Sequence, residues 1–496
     1  MIPFYYVVIW KGGDATPYMF CLLIFLLLSS CSNIFKTGVN IKPVAGHVTM
    51  NRMNRSMVCM VAALLFIIQP LMFITQDVHS ETTVNATALS GGWLEERDGV
   101  KILHLSGSNY EMGYQHGYLL KNEIEENMRI MFGFLFQKGY SYSDLLEIWN
   151  VMEGFLPQEY KDEMQGMADG SGMSYETIAV YSTWPAVFNH LYCFGGSLWG
   201  SATADGTLYH VRSLDWAGGF DFYDQETDTY FRENQVLIVR NPDNGYASVS
   251  PEFAGAICCW GGINEKGIGI SETTCLSYDT TFQGISAAFR MRMVLDRATT
   301  GEEAIAIMRE NRTCGWNFIV SDGNIPRGYV MEQTANLVYV GTWFDSVERT
   351  PPFWAIEDVV RRGPCFINPM CAATQKERPN YDPSGLRGFL LFMLGKNPYF
   401  SVWSMYRAMS HEIERQCGSL DLNGTMALLR DVYLGKTDMV FLLMQLMGSY
   451  RSFHQWVACP ETGDILVSFA DENRPANRNP VHHFTLQELV DAEPPP

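Results

Sequence analysis

The sequence predicts an α+β protein in which two packed sheets are covered by helices on both outer sides, a four-layer αββα sandwich. Two observations predict this fold class. Short alternating strands fill residues 193–270 and return from Asn317, and helical patterns with a period near 3.6 lie before, between and after them. Residues 385–450 are rich in Leu and Met and predict an added helical insertion near the C-terminus.

Length and charge limit the classes of function. The chain has 496 residues, 47% of them hydrophobic, which is enough for a packed core of one large or two ordinary domains. Its 35 basic and 54 acidic residues give a net charge of −19, and no dense run of Lys or Arg occurs, so nucleic acid is not expected as a partner. The twelve cysteines have no CxxC spacing and the sequence has no HExxH motif, so no metal site is predicted.

Residues 1–80 are predicted to be a leader with two apolar segments. The second segment, Met57–Thr75, closely follows two arginines, which is the charge order of a signal peptide or a signal anchor. This order also favours a translation start near Met50 or Met53. We therefore expect an exported protein, either extracellular or anchored, whose membrane association runs through this N-terminal apolar segment.

The elements after the leader follow in order. Val100–Leu105 predicts a strand, and the pattern from Tyr110 to about Glu163 predicts helices. Asp205-Gly206 predicts a two-residue hairpin turn. Two further helices are predicted over Ile285–Arg297 and Gly301–Arg309. Two more groups of strands and a closing hairpin complete the sandwich. The predicted parts are a helical N-terminal part over 90–192, a strand-rich core over 193–475 and a polar tail over 476–496.

One apolar stretch of the insertion has more than one interpretation. Met439–Met447 contains Met, Leu, Val and Phe with a single glutamine. The stretch predicts a helix of the core. A hydrophobic acyl pocket and a membrane-facing surface are the alternatives.

The residues around Cys193 form the candidate site. Three small residues follow the thiol, and the returning strand brings Arg212 and Asp215 back beside it. A cysteine attacks as thiolate, and its ordinary pKa of about 8.5 leaves little thiolate at neutral pH. If the peptide bond between Tyr192 and Cys193 is cut, the new α-amino group, with a pKa of about 8, can act as general base. One residue then supplies both nucleophile and base.

Five motifs, in their order along the chain, resemble one family. They are His104–Ser108 with Tyr110–Gly117, Cys193–Trp216, Gly262–Ile270, Trp316–Asp322 and Ser384–Arg387. Over roughly residues 95–475 the chain resembles N-terminal-nucleophile (Ntn) hydrolases of the acyl-coenzyme A:isopenicillin-N acyltransferase type, relatives of penicillin V acylase and choloylglycine hydrolase. The resemblance implies the Ntn-hydrolase form of the sandwich and no cofactor.

The resemblance also implies roles for the residues near the thiol. Cys193 is the nucleophile, released by cleavage after Tyr192, although relatives in the acyltransferase branch often have glycine before the nucleophile. Asp215 holds the α-amino group. Arg212 is a fixed cation that favours the thiolate and positions a polar group of the substrate.

Three later positions match the family as well. Asn317 matches the oxyanion-hole asparagine. Thr273 lies where relatives often carry asparagine, which makes it a second candidate for substrate or oxyanion binding. Arg387 resembles the late arginine that closes the site.

These roles predict a self-processing cysteine hydrolase that cleaves a linear amide C–N bond of a small N-acylated substrate through a thioester. Transfer of the acyl group to an amine is the alternative within the class, and it differs only in the acceptor. The alternative from another class is a catalytically inactive, membrane-tethered binding protein with the same fold. The sequence has four central site residues together, and a binding protein does not need this combination, which argues against this alternative. They are Cys193, Arg212, Asp215 and Asn317.

Overall fold

The computed structural model describes residues 89–187, 193–216, 220–376, 384–447 and 450–494. The chain divides into the units Met1–Glu81 and Thr82–Pro496, and every described residue lies in the second. The predicted leader and Tyr192 lie outside the described residues.

The strands of the described part form two large sheets and a two-stranded ribbon. In chain order they are β1 (Trp93–Arg97), β2 (Val100–Gly107), β3 (Phe194–Gly200), β4 (Gly206–Asp215), β5 (Tyr223–Asp224), β6 (Thr229–Tyr230), β7 (Gln235–Pro242), β8 (Ser248–Phe253), β9 (Gly261–Asn264), β10 (Ile268–Thr274), β11 (Trp316–Asp322), β12 (Arg327–Gln333), β13 (Val338–Gly341), β14 (Val359–Arg362), β15 (Ser452–Cys459), β16 (Asp464–Phe469) and β17 (His482–Thr485). The larger sheet has the order β1-β2-β7-β8-β9-β10-β11-β12-β13, and the smaller has the order β14-β3-β4-β15-β16-β17. Neighbouring strands are antiparallel except β2 and β7, which are parallel.

Helices lie before, between and after the strands. They are α1 (Asn109–Leu119), α2 (Lys121–Gln137), α3 (Tyr142–Met152), α4 (Gln158–Ser171), α5 (Tyr175–Tyr181), α6 (Trp184–Val187), α7 (Ala287–Arg297), α8 (Gly301–Arg309), α9 (Pro369–Ala372), α10 (Gly385–Met393), α11 (Tyr399–Gln416), α12 (Leu422–Tyr433), α13 (Met439–Leu446) and α14 (Leu486–Val490). Within the described ranges, no helix combines the length and the apolar character needed to cross a membrane.

The two large sheets pack face to face. Strand β3 contacts β10, β11 and β12, and apolar side chains such as Ile319 and Val360 fill the space between the sheets. Helices α7 and α8 contact the larger sheet, and α12 contacts β4 and β15 of the smaller one. The predicted αββα sandwich with a helical insertion is therefore confirmed.

The helical N-terminal part is built into this sandwich. Its strands β1 and β2 belong to the larger sheet, where β2 pairs with β7 of the strand-rich core. Helices α1 and α4 meet at glycines, and a Cβ atom added at Gly113 would lie 2.0 Å from the carbonyl oxygen of Glu163. Only glycine permits such close backbone contact. The residues before Cys193 thus carry strands that the core needs.

Two predicted features differ from the structure. The connection between β3 and β4 contains residues 201–205 rather than two residues, because Gly200 and Gly206 pair and both have positive φ. The segment 476–496, predicted to be a polar tail, contributes β17 and α14 through residue 490. Phe484, Leu486 and Leu489 are buried there. These few apolar residues alternate with polar ones, so the pattern is too short to predict the two elements from the sequence.

Helix α13 is only partly the predicted core helix. Phe441 and Met444 are buried, whereas Met439 and Leu446 are exposed. A uniformly apolar sequence has no periodicity that tells which face is covered.

Candidate active site

Cys193 directly precedes β3 and is buried, with 3% of its surface exposed. Strands β3 and β4 pair with Gly195 opposite Arg212, so the start of β3 lies beside the end of β4. The Cys193 thiol lies 3.9 Å from the backbone carbonyl oxygen of Asp215, to which it donates. The structure thus brings Cys193, Arg212 and Asp215 together, as the strand pattern requires.

The environment of Cys193 keeps the thiol neutral. Burial raises its pKa to about 12, and the nearby carboxylates of Glu272 and Asp215 act in the same direction. The Arg212 guanidinium lowers this pKa without cancelling the effect of burial. A separate base is therefore needed to take the proton when the sulfur attacks.

Arg212 is a fully buried cation that links three parts of the site. Its Nη2 donates to Glu272 on β10, and its Nη1 donates to the carbonyl oxygen of Phe194 at 3.3 Å and to that of Ser213. Its Nε has no hydrogen-bond partner among the described residues. Buried polar groups are normally paired, and Arg212 is not among the residues that line the cavity beside Cys193.

Glu272 is a site residue that the sequence analysis did not identify. It pairs with Arg212, and its Oε2 lacks a partner within the described structure. Burial raises the pKa of Glu272 to about 7, although the Arg212 charge opposes the shift. The available signal was an acidic residue inside a strand whose other residues are uncharged; once such a residue is buried, it needs a buried cation as its partner.

Asp215 is held by side chains from two elements. Its Oδ1 accepts from Ser213 Oγ at 2.7 Å, and its Oδ2 accepts from the hydroxyl of Tyr433 on α12 at 2.5 Å. Burial raises the pKa of Asp215 to about 6, and these hydrogen bonds limit the rise. The carboxylate is therefore ionised at neutral pH. Tyr433 was not predicted, because nothing local in the sequence relates α12 to β4.

A small cavity of about 20 Å³ lies beside Cys193, which is room for about one water molecule. Its polar lining includes Asp215 and Glu272. The apolar lining is largely aromatic and consists of Trp184, Leu214, Trp216, Phe231, Phe253, Trp260 and Phe453. Trp184 lies on α6, before Cys193 in the chain, and its ring centroid is 4.8 Å from that of Trp260.

Thr273 and Asn317 lie opposite each other on β10 and β11 and hold one loop. Thr273 Oγ1 and Asn317 Nδ2 each donate to the carbonyl oxygen of Gly363 at 3.0 Å, and the same Nδ2 donates to Cys365 at 2.9 Å. Side chains alternate along a strand, so Glu272 and Thr274 line the cavity while Thr273 does not. The oxyanion roles of Thr273 and Asn317 stay predictions.

Arg387 lies apart from these groups. It is exposed on α10 and is absent from the lining of the Cys193 cavity. Its role in closing the site stays a prediction.

Replacing Asn317 with alanine is expected to lower the melting temperature. The carbonyl oxygens of Gly363 and Cys365 would lose this donor, and Gly363 would keep the bond from Thr273, so the expected cost is about 1–3 kcal/mol in total. Thermal unfolding and the kcat of the folded fraction, measured on the same preparation, test this. If the melting temperature stays unchanged while kcat falls about 100-fold, the amide faces the substrate rather than the loop.

Glu272 is expected to make stability depend on pH. Its pKa is raised from 4.5 to about 7, so the folded chain holds this proton more tightly than the unfolded chain. The contribution of Glu272 to the free energy of unfolding is complete below about pH 4.5 and is lost as the pH rises to about 7. The melting temperature of the wild type minus that of Glu272→Gln should therefore decrease across this range. A constant difference would contradict the raised pKa.

Comparisons with known proteins agree with the sequence resemblance. Residues 223–337 match the family model described as acyl-coenzyme A:6-aminopenicillanic acid acyl-transferase. The match begins after Cys193, Arg212 and Asp215 and includes Glu272 and Asn317. Protein dcd1B of Dictyostelium discoideum is 26% identical over 342 residues, which cover 63% of this chain and 64% of that protein.

Two further proteins are similar to part of this chain. An uncharacterized protein of Archaeoglobus fulgidus is 26% identical over 260 residues, 46% of this chain and 42% of that protein. The chain thus spans less than two thirds of the length of these two relatives. A conjugated bile acid hydrolase mutant from Clostridium perfringens is 15% identical with a TM-score of 0.34, covering 61% of this chain and 95% of that structure. Over residues 223–337 the chain is thus similar to the acyl-coenzyme A:6-aminopenicillanic acid acyl-transferase family, which agrees with the predicted resemblance.

Proposed function

We propose that the chain is a self-processing cysteine hydrolase that cleaves a linear amide bond of a small N-acylated substrate. The observation that carries this proposal is the placement of Cys193 at the start of β3, beside Arg212, Asp215 and an aromatic cavity. Because Cys193 lies at the start of a strand, a single cut of the peptide bond before it would make Cys193 an N-terminal residue.

Before the cut, the site has the features of an inactive precursor. The nitrogen of Cys193 is then a peptide amide, which cannot accept a proton, and burial keeps the thiol neutral. The cavity holds about one water molecule, and Trp184 of the preceding segment forms part of its wall. Cleavage supplies the missing base and frees the chain that carries Trp184 at its C-terminal end.

The proposed reaction proceeds through a thioester. The free α-amino group of Cys193 takes the thiol proton as the sulfur attacks the acyl carbonyl carbon. The proton then passes to the leaving nitrogen as the C–N bond breaks, which releases the amine. Water next attacks the thioester and gives its proton to the same amino group, and the carboxylic acid leaves as the thiol is restored.

The charged groups of the site have distinct roles in this reaction. Asp215, ionised at neutral pH, holds the α-amino group. Arg212 favours the thiolate through its charge and offers its free Nε–H to a polar atom of the substrate. The aromatic lining favours an apolar acyl group, because such a group gains free energy when it leaves water.

Transfer of the acyl group to an amine is the second candidate, and the match to an acyl-transferase family favours it. Hydrolysis and transfer share the thioester and differ in the acceptor. Product analysis with and without an added primary amine separates them. Hydrolysis gives free acid in both cases, whereas transfer gives a new amide whose yield rises with the amine concentration.

The purified protein is expected to contain two separate polypeptide chains, because the peptide bond before Cys193 has been cut. The second chain begins at Cys193. Both chains should co-purify, because β1 and β2 of the first remain in the larger sheet. Intact mass measurement and N-terminal sequencing test this. A single uncut chain with full amidase activity would contradict the proposal, since no α-amino group would then be available at Cys193.

A further inference from the structure

Two helices of the insertion expose matching apolar stripes. The apolar residues of the first stripe, on α10 and at its C-terminal end, have 53–74% of their surface exposed. Those of the second stripe, on α13 and at its C-terminal end, have 47–75% of their surface exposed. The members are Leu386, Leu390, Met393 and Leu394 on the first helix and Met439, Leu443, Leu446 and Met447 on the second. Both sets have the spacing i, i+4, i+7, i+8, which places each on one face of its helix.

The opposite faces of these helices are anchored to α11. Phe389 and Phe392 of α10 contact Phe400, with ring centroids 5.4 and 5.9 Å apart. Asp438 caps α13 and forms an ion pair with Arg407 at 2.7 Å. Phe400 and Arg407 are seven residues apart and lie on one face of α11. Both striped helices are therefore held on α11, and we call these eight residues the apolar stripe pair.

The stripe pair differs from isolated exposed apolar residues of the described structure. Ile325 and Met370 are exposed singly, as is common on soluble proteins. Eight large apolar side chains on two helices that are both held on α11 form instead the kind of surface that marks an interaction site.

The charges around the stripe pair differ from those of the whole chain. The chain has a net charge of −19, yet residues 384–411 contain no Asp or Glu and residues 439–451 contain none either. Arg387 and Lys396 flank the stripe of α10 and are exposed. This local positive charge suits a negatively charged partner surface.

We propose that the apolar stripe pair inserts into the interface of an anionic lipid bilayer, with Arg387 and Lys396 contacting the headgroups. An amphipathic helix lying in the bilayer interface has this combination of long apolar side chains and basic flanks. Each basic residue near an anionic leaflet adds about 1 kcal/mol to binding. This mode of binding is independent of both the leader and the proposed reaction.

A second copy of the chain fits the surface less well. A two-fold symmetric dimer through this face would place the same basic residues of two copies near each other, without acidic residues from 384–411 or 439–451 to compensate them. Leu and Met side chains on the outer faces of helices also offer no groove for a protein ligand. The fluid acyl chains of a lipid bilayer need no groove.

The test uses the full chain with vesicles of phosphatidylcholine alone and vesicles containing equal amounts of phosphatidylcholine and phosphatidylserine. Hydrogen exchange reports the bound surface directly. The amides of 385–394 and 439–447 are expected to become protected on the anionic vesicles, while those around Ile325 and Met370 do not. This readout separates the stripe pair from any binding by the leader.

Variants sharpen the test. The double variant Leu390→Glu/Leu443→Glu should lose at least about 10-fold in affinity for anionic vesicles, since two inserted leucines are replaced by charges. Ile325→Glu/Met370→Glu is the matched control and should bind like the wild type. Lys396→Glu should lose about 5-fold or more on anionic vesicles and much less on neutral ones.

Three results would overturn the proposal. They are the absence of protection at the stripe pair on either vesicle, equal binding by the stripe variant and its control, and a dimer in solution that Leu390→Glu/Leu443→Glu dissociates. The last would identify a second copy as the occupant.

Discussion

Cys193→Ala is expected to abolish both cleavage before residue 193 and turnover of an amide substrate. The sulfur is the atom that attacks in each step, and no other group described near the cavity can form a thioester. Loss of a covalent nucleophile lowers kcat by on the order of 10⁵-fold or more. Intact mass reports the first effect, and release of amine from an N-acylated substrate reports the second.

Two controls separate the nucleophile from a structural cysteine. Cys193→Ser should still cut slowly, since a hydroxyl can attack the preceding carbonyl, but it should lose thioester chemistry. Cys258→Ala and Cys275→Ala change buried cysteines that do not line the cavity, and both should process and turn over. Turnover retained in Cys193→Ala and lost in one of the other two would show that another thiol is the nucleophile.

Much of the fold was predictable because it depends on local patterns. The predicted helix Gly301–Arg309 has the same bounds in the structure, since Thr300 caps it and Glu303 follows in its first turn. The β15–β16 hairpin was likewise predicted from alternation. The β3–β4 connection was not, because its shape depends on distant groups, among them Asp358, whose carboxylate accepts from the backbone N–H of Ser201 at 2.8 Å.

The site was predictable only where residues lie near each other in the sequence. Cys193, Arg212 and Asp215 occupy one hairpin, so their proximity follows from strand pairing. Glu272 and Tyr433 reach the same place from β10 and α12, and only the packing of the two sheets and of α12 brings them there. Successive side chains of a strand face opposite sides, so the motif alone does not tell that Glu272 lines the cavity rather than Thr273.

Arg212→Met is expected to lower both stability and activity. The change leaves the carboxylate of Glu272 buried without its cation, which costs about 3–5 kcal/mol of unfolding free energy when the carboxylate is charged. The loss of unfolding free energy should be smaller at pH 5 than at pH 8, because Glu272 is protonated at pH 5. Turnover should fall at least about 100-fold, as expected when a charge that stabilises the reacting thiolate is removed.

The double variant Arg212→Met/Glu272→Gln distinguishes a structural ion pair from a catalytic one. It removes both charges with little change in volume, so most of the stability should return while the thiolate still lacks its cation. Denaturant unfolding and turnover of the folded protein, measured together, test both parts. If stability and turnover return together, Arg212 acts only by neutralising Glu272. If stability alone returns, the guanidinium itself is required at the thiol, and the single loss of activity cannot be assigned to unfolding.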